Sequence, residues 1–193
     1  TIYNEFKKLE NGKKIAENKQ KVSKKWLEKT KKNAYLKKFP NYIKKAITIK
    51  NTNLRLLPTN KPIFSEFSDH SNGYPFDNLQ NSKLPANTPI KIVHITIDNA
   101  WVYIETSFAH GWVSIHDIAY AGPKFIKKFK QHTTYVAPTK DDIPIKTIKG
   151  TYLFHAFIGM SFPLISNQKD YYTIGIARAS ASRGDGVDTY GRL

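Results

Sequence analysis

The side chains of this chain that could do chemistry gather between Leu54 and Asp117. Tyr74 and Asp77 sit in a stretch crowded with turn residues. His94, Asp98 and Trp101 follow along a short apolar run, and Trp112 stands in the next one. An indole plane at Trp101 or Trp112 suits a sugar ring or a flat peptide, the Asp77 carboxylate suits an amine, and His94 can give or take a hydrogen bond. These six residues are the candidate ligand-binding set. Each has a plainer role open to it. The two tryptophans can be core, Asp77 can cap a loop by accepting from nearby N–H groups, and His94 can be a structural hydrogen-bonding residue. Tyr74 lies in a long loop, where binding residues concentrate.

Catalytic chemistry is poorly represented. The chain has no cysteine, which removes disulfides, thiolate metal sites and a cysteine nucleophile. His110, His116 and Asp117 have no zinc-site spacing. No nucleophile elbow and no glycine-rich phosphate cradle is present. No catalytic residue, metal or cofactor is therefore assigned. Arg183-Gly184-Asp185 spells an adhesion tripeptide, and Asp185 with Asp188 hints at calcium; both are short enough to be coincidence.

Positioning the candidate residues falls to short strands. Ile47-Thr48-Ile49 alternates weakly, Leu54–Leu57 is closed by Pro58, and residues 59–88 read as one long ordered loop. Lys91–Ile95 and Trp101–Glu105 flank Asp98-Asn99, a tight hairpin turn. Trp112–Ile115 is a further strand, and 116–119 a short helical turn. Five short strands with one early long loop is SH3-like barrel architecture. After Gly122-Pro123 a second set follows: Thr134–Ala137, an edge-type strand at Ile143-Pro144-Ile145, Thr151–Ile158, and Tyr171–Ile176 as the last. The expected class is mainly β: two tandem small SH3-like barrels preceded by an α-helical segment. The expected boundaries are a lysine-rich helical clip over 1–45, a first barrel over 46–122, a second over 123–176, and a linker or truncated tail over 177–193. Within the clip, Ile2, Phe6 and Leu9 mark one helix ending at Asn11-Gly12. Val22, Trp26 and the Lys29 stem mark a second, ended by Phe39-Pro40.

The formal charge is +16 and unevenly spread: residues 1–50 hold sixteen lysines against four glutamates. That segment is expected to be drawn to polyanions such as anionic lipid headgroups, wall polymers or nucleic acid, its plainer reading being a solvated helix surface. No apolar run approaches the roughly 18–20 residues of a membrane span. The chain opens at Thr1 rather than Met, as expected of a mature form, with a leader or lipid anchor removed, or of an expressed segment.

The strand wording resembles the NlpC-type bacterial cell-wall cysteine peptidases that carry a helical clip and two bacterial SH3 domains. The resemblance rests on Arg55-Leu56-Leu57-Pro58-Thr59, Pro75-Phe76-Asp77-Asn78-Leu79-Gln80, Thr88-Pro89, and His94 with Asp98 and Trp101. It continues at Gly111-Trp112-Val113, Asp117-Ile118-Ala119, Ile158-Gly159-Met160 and Phe162-Pro163-Leu164. It implies work on peptidoglycan, where such enzymes cleave between D-glutamate and the diamino acid of the stem peptide. Their Cys-His catalytic domain has no counterpart here, so cleavage is not carried over. The expected function is a non-catalytic peptidoglycan-binding and targeting module with stem peptides as partner, exported and periplasmic or envelope-associated. The alternative is the accessory front part of a γ-D-glutamyl-diamino-acid endopeptidase, beside a cysteine peptidase domain in cis or in trans. A basic nucleic-acid binder is a second alternative, disfavoured because lysine outnumbers arginine 27 to 4 and no nucleic-acid motif is present.

Overall fold

A computed structural model describes residues 2–67, 73–179 and 186–193. The adhesion tripeptide Arg183-Gly184-Asp185 and part of the long loop lie outside the described residues. In chain order the elements begin with α1 (Ile2–Asn11), β1 (Ile15–Ala16), α2 (Lys24–Ala34), β2 (Lys44–Thr48), β3 (Thr52–Arg55), β4 (Ile63–Phe64) and β5 (Gln80–Leu84). Then come β6 (Pro89–Ile95), β7 (Trp101–Glu105), β8 (His110–Ser114), β9 (Ile118–Tyr120) and α3 (Pro123–Lys130). The chain closes with β10 (Tyr135–Val136), β11 (Ile143–Thr147), β12 (Tyr152–Ala156), β13 (Phe162–Asn167), β14 (Tyr172–Ala179) and β15 (Gly186–Arg192). Among the described residues no helix is long and apolar enough to cross a bilayer.

Backbone proximity divides the chain into two units: Thr1–Ile43, Asn53–Lys83 and Ile92–Ile115 form one; Lys44–Thr52, Leu84–Lys91 and His116–Leu193 form the other. This division differs from breaks at 45 and 122. Strand β2 pairs antiparallel with β9, Ala46 opposite Tyr120 and Thr48 opposite Ile118, which groups residues 44–52 with the chain beyond 116.

In the first unit, α1 buries Ile2 and Phe6 with Leu9 partly covered, as the four-and-three spacing predicts. Helix α2 starts at a Ser23 cap, whose hydroxyl accepts the Trp26 N–H at 3.5 Å. It stops at Ala34, short of the expected proline stop at Phe39-Pro40. Tyr35 takes a left-handed conformation (φ 54°) and turns its N–H onto the Lys32 carbonyl, satisfying one of the free carbonyls of the last turn. Its buried face is Leu27, Thr30 and Ala34 rather than Val22 and Lys29; Val22 precedes the helix and Lys29 is exposed. Five strands follow the order β5-β3-β8-β7-β6. The β7–β8 hairpin sets Trp101 opposite Ser114 and Tyr103 opposite Trp112, and Trp112 faces Arg55 on β3. The expected loop over 59–88 is not loop throughout, since β4 pairs with β1 and β5 joins the sheet. Two-residue strands leave too little periodicity to read.

In the second unit the strand order is β10-β13-β14-β15-β11-β12 around a core of Ile145, Phe154, Phe162, Ile174 and Ile176. Two expectations change. Strand β11 is interior rather than edge: β12 pairs along Ile143–Lys146, while β15 pairs with Lys146 and Thr147, beyond Pro144. The tail is not a linker, because β15 pairs with β14 over seven residues, Thr173 opposite Arg192 through Ala179 opposite Gly186. Glycine lets it dock: a Cβ on buried Gly191 would stand 2.1 Å from Ile176 Cδ1.

Candidate functional site

The loop between β3 and β5 is held from inside by one arginine. The Arg55 side chain is 4 % exposed, and its Nη1 meets Asp77 Oδ2 at 2.5 Å and Gln80 Oε1 at 3.0 Å. Its Nε donates to the Thr59 carbonyl and its Nη2 to that of Lys61. The other Asp77 oxygen accepts the N–H groups of Ile63 (3.0 Å) and Leu79 (2.9 Å). Asp77 is thus a loop cap and ion-pair partner, both of its oxygens engaged in holding the loop. Burial makes the pair mutually dependent, since either charge alone would be desolvated without compensation.

That frame presents two aromatic rings to solvent. Tyr74 is 56 % and Phe76 64 % exposed. Tyr74 stacks on Phe67 (centroids 5.4 Å apart, planes 13° apart) and leans on Phe64 at 5.5 Å, while Lys19 Nζ lies 5.6 Å from the Phe67 ring. Gly73 makes the approach: a Cβ there would meet the Glu66 carbonyl at 2.6 Å, next to the Tyr74 N–H bond to that same oxygen. Phe76 had no signal as a site residue beyond its place in the Pro-Phe-Asp element.

The other candidates divide. Trp112 and His94 are fully buried, which removes both from any ligand-facing role. Trp112 fills the space between Tyr103 (5.4 Å) and His94 (5.9 Å). Tyr103 itself has its hydroxyl pushed up to about 12 by burial, with the charges of Glu105 and Glu5 adding to it. His94 Nε2 lies 2.8 Å from the Ala34 carbonyl, so Nε2 carries the proton. Among the described residues, His94 Nδ1 and Trp112 Nε1 have no hydrogen-bond partner. Trp101 is half-buried against the same core. Asp98 builds the hairpin turn: Oδ1 accepts from Thr96 Oγ1 (2.6 Å) and Ala100 N (3.0 Å), and Oδ2 from Asn33 Nδ2 (2.9 Å). Partial burial would raise its pKa, but these bonds outweigh that and hold it below the usual carboxylate range. No group of three or more His, Cys, Asp or Glu able to hold a metal occurs among the described residues.

Burial lowers the His94 pKa, overriding the Ala34 carbonyl, which favours the protonated ring. A depressed folded pKa makes the neutral ring a stabilising state above the ordinary value of about 6.5. As pH falls through that value the unfolded chain takes up a proton that the folded chain refuses, and stability is lost. Urea midpoints followed by tryptophan fluorescence are expected to fall between about pH 7 and 5, and His94→Phe to flatten that slope. An identical slope in the variant would remove His94 as its origin.

Residues 62–114 match the family model for an SH3 domain of the SH3b1 type, and residues 123–169 that for an SH3 domain of the SH3b2 type. The chain carries two tandem bacterial SH3 domains. Among solved structures, the chain is similar to a novel NlpC/P60 endopeptidase from Photobacterium damselae subsp. piscicida, at 25 % identity and a TM-score of 0.80. The similarity covers 98 % of this chain and 41 % of that one, so the chain spans well under half the length of its relative. No curated protein matches the chain. Within the first SH3 domain, the sequence elements that carry the resemblance prove to be largely frame: Asp77 and Gln80 hold Arg55, and Trp112 fills the core. What they deliver to the surface is the Tyr74–Phe76 tip.

Proposed function

We propose that this chain is a non-catalytic, peptidoglycan-binding segment of the bacterial envelope, exported to the periplasm or cell wall. It grips stem peptides with the Tyr74–Phe76 tip. The observation carrying this reading is the tandem pair of SH3 domains, alike over 98 % of the chain to an NlpC/P60 endopeptidase, in a polypeptide without a cysteine. Lacking a thiolate, the chain cannot supply the nucleophile of a cysteine peptidase. Two exposed rings on a braced loop offer flat apolar area with little entropy to lose on binding. The same reading accommodates work beside a cysteine peptidase domain, in cis or in trans, which the 41 % coverage of the relative favours. A coding region in which a Cys and then a His follow Leu193 would establish the cis form.

Retention on purified wall sacculi tests the binding role. The wild-type chain is expected to sediment with sacculi at about 0.15 M salt, where long-range charge attraction is largely screened. Tyr74→Ala combined with Phe76→Ala is expected to lower retention about tenfold, the loss of one or two modest aromatic contacts. Tyr74→Ala gives up the stack on Phe67, so a modest fall of the unfolding midpoint is expected, and retention is compared where both proteins are folded. Wild-type protein that stays in the supernatant would end the reading; unchanged retention in the double variant would move the contact away from this loop.

A further inference from the structure

Three adjoining hollows run beside α2 in the first unit. One of about 430 Å³ is walled by Lys13, Lys14, Lys21 and Lys24 together with Glu10 and Glu28, over Leu9 and Leu27, so its charge is mixed. A second, about 180 Å³, shares Lys21 and Val22 with it and reaches Trp26 and Lys61. A third, about 600 Å³, shares Trp26 and Lys61 with the second and extends to Lys29, Lys32, Asn33, Thr59 and Asp98. Shared walls make these one groove with the half-buried Trp26 near its middle. Its volume is ample for several linked rings. The Trp26 backbone is fixed, its carbonyl accepting the Thr30 hydroxyl at 3.0 Å, and its ring packs on the core from one side.

The chemistry of the walls narrows the occupant. Among the described residues Lys29, Lys32 and Lys61 have no carboxylate within ion-pair distance, and all three are exposed. Three unpaired ammonium groups around one hollow favour an anion. Every cation along the groove is lysine, which lacks the fork that arginine uses for bidentate phosphate contacts. Asp98 stands among these lysines as a carboxylate kept ionised by its three donors. A sugar hydroxyl can donate to its remaining lone pair, a bond that the acceptor-only oxygens of a phosphate or a carboxylate cannot make. Asn33 and Thr59 add an amide and a hydroxyl of the kind that pair with sugar hydroxyls, and an indole plane accepts the C–H face of a pyranose. We propose that this groove binds an acidic polysaccharide chain, seating a sugar ring on Trp26 and carboxylates on Lys29, Lys32 and Lys61. The site is separate from the Tyr74–Phe76 tip and does not depend on stem-peptide binding.

Titration calorimetry of the whole chain with polygalacturonate tests it, with dextran, polyglutamate and a thymidine oligonucleotide as the other arms. Polygalacturonate is expected to bind at about 50 mM salt and to weaken as salt rises. Dextran should not bind, and polyglutamate and the oligonucleotide should bind more weakly. Lys29→Gln, Lys32→Gln and Lys61→Gln together are expected to weaken polygalacturonate binding about tenfold, three exposed charges acting together. Lys140→Gln, Lys149→Gln and Lys169→Gln remove the same charge elsewhere and should change it less than about twofold. Equal losses in the two triples, equal binding of polyglutamate, tighter binding of the oligonucleotide, or no binding of polygalacturonate would each overturn the proposal. Sacculus retention by the Tyr74 and Phe76 variant is read independently, so either proposal can fail while the other stands.

Discussion

Replacing Asp77 with alanine is expected to lower the stability of the first unit by about 3–5 kcal/mol, the loss seen when a buried ion pair is stripped of one partner. Arg55 would keep its charge inside the loop with only carbonyls and Gln80 around it, and the N–H groups of Ile63 and Leu79 would lose their acceptor. Asp77→Asn separates the two effects. It keeps an oxygen for Ile63 and Leu79 while removing the charge, so it should recover only the part due to those two bonds. Arg55→Met with Asp77→Leu removes both charges, and should be less damaging than Asp77→Ala alone, because an apolar pair carries no unpaired charge into the interior. The measurement is direct, since Trp26, Trp101 and Trp112 all belong to the first unit and fluorescence reports its unfolding. For comparison, the exposed Lys31–Glu10 pair should contribute at most about 1 kcal/mol. If Asp77→Ala shifted the urea midpoint no more than Glu10→Ala does, the arginine would not be the brace of this loop.

The strands around Arg55 and Asp77 were legible because their cause is local. Asp98-Asn99 turns a hairpin with Asn99 at φ 58° and apolar runs flank it, while the strand expected at Leu54–Leu57 lies at Thr52–Arg55 and ends three residues before Pro58. The family wording carried the first SH3 domain for the same reason: Arg55, Asp77 and Gln80 complete one network. What escaped reading depends on partners distant in sequence. Strand β15 is a strand because β14 lies beside it and because Gly191 leaves room for Ile176, neither of which leaves a periodic trace in a run whose only large apolar residues are Val187 and Tyr190. The end of α2 is set by Tyr35 in a left-handed conformation, a choice that sequence favours only weakly outside Gly and Asn. The groove at Trp26 draws on residues near 26–33, 58–61 and 97–98, so no spacing announces it. Among the six site candidates, Asp77, His94 and Trp112 turned inward because motif residues in a small domain are as often frame as contact. Tyr74 and Asp98 lie exposed, and Trp101 is half-buried.

Trp112→Ala is expected to cost about 3–5 kcal/mol, the range for emptying a large aromatic site that cannot collapse. The ring is fully buried and wedged between Tyr103 and His94, and β8 holds it opposite Arg55 on β3, so the surrounding strands cannot close the gap. Trp112→Phe should cost much less. It keeps most of the aromatic volume, and it deletes an indole N–H that has no partner among the described residues, a group whose burial already opposes folding. The pair of variants also distinguishes core from contact. If Trp112 only fills space, sacculus retention will follow the folded fraction in both, and Trp112→Phe at a concentration where it is folded will bind as the wild type does. A Trp112→Phe protein with a wild-type urea midpoint but lost retention would mean that the indole reaches the ligand, and the assignment of this ring to the interior would fall with it.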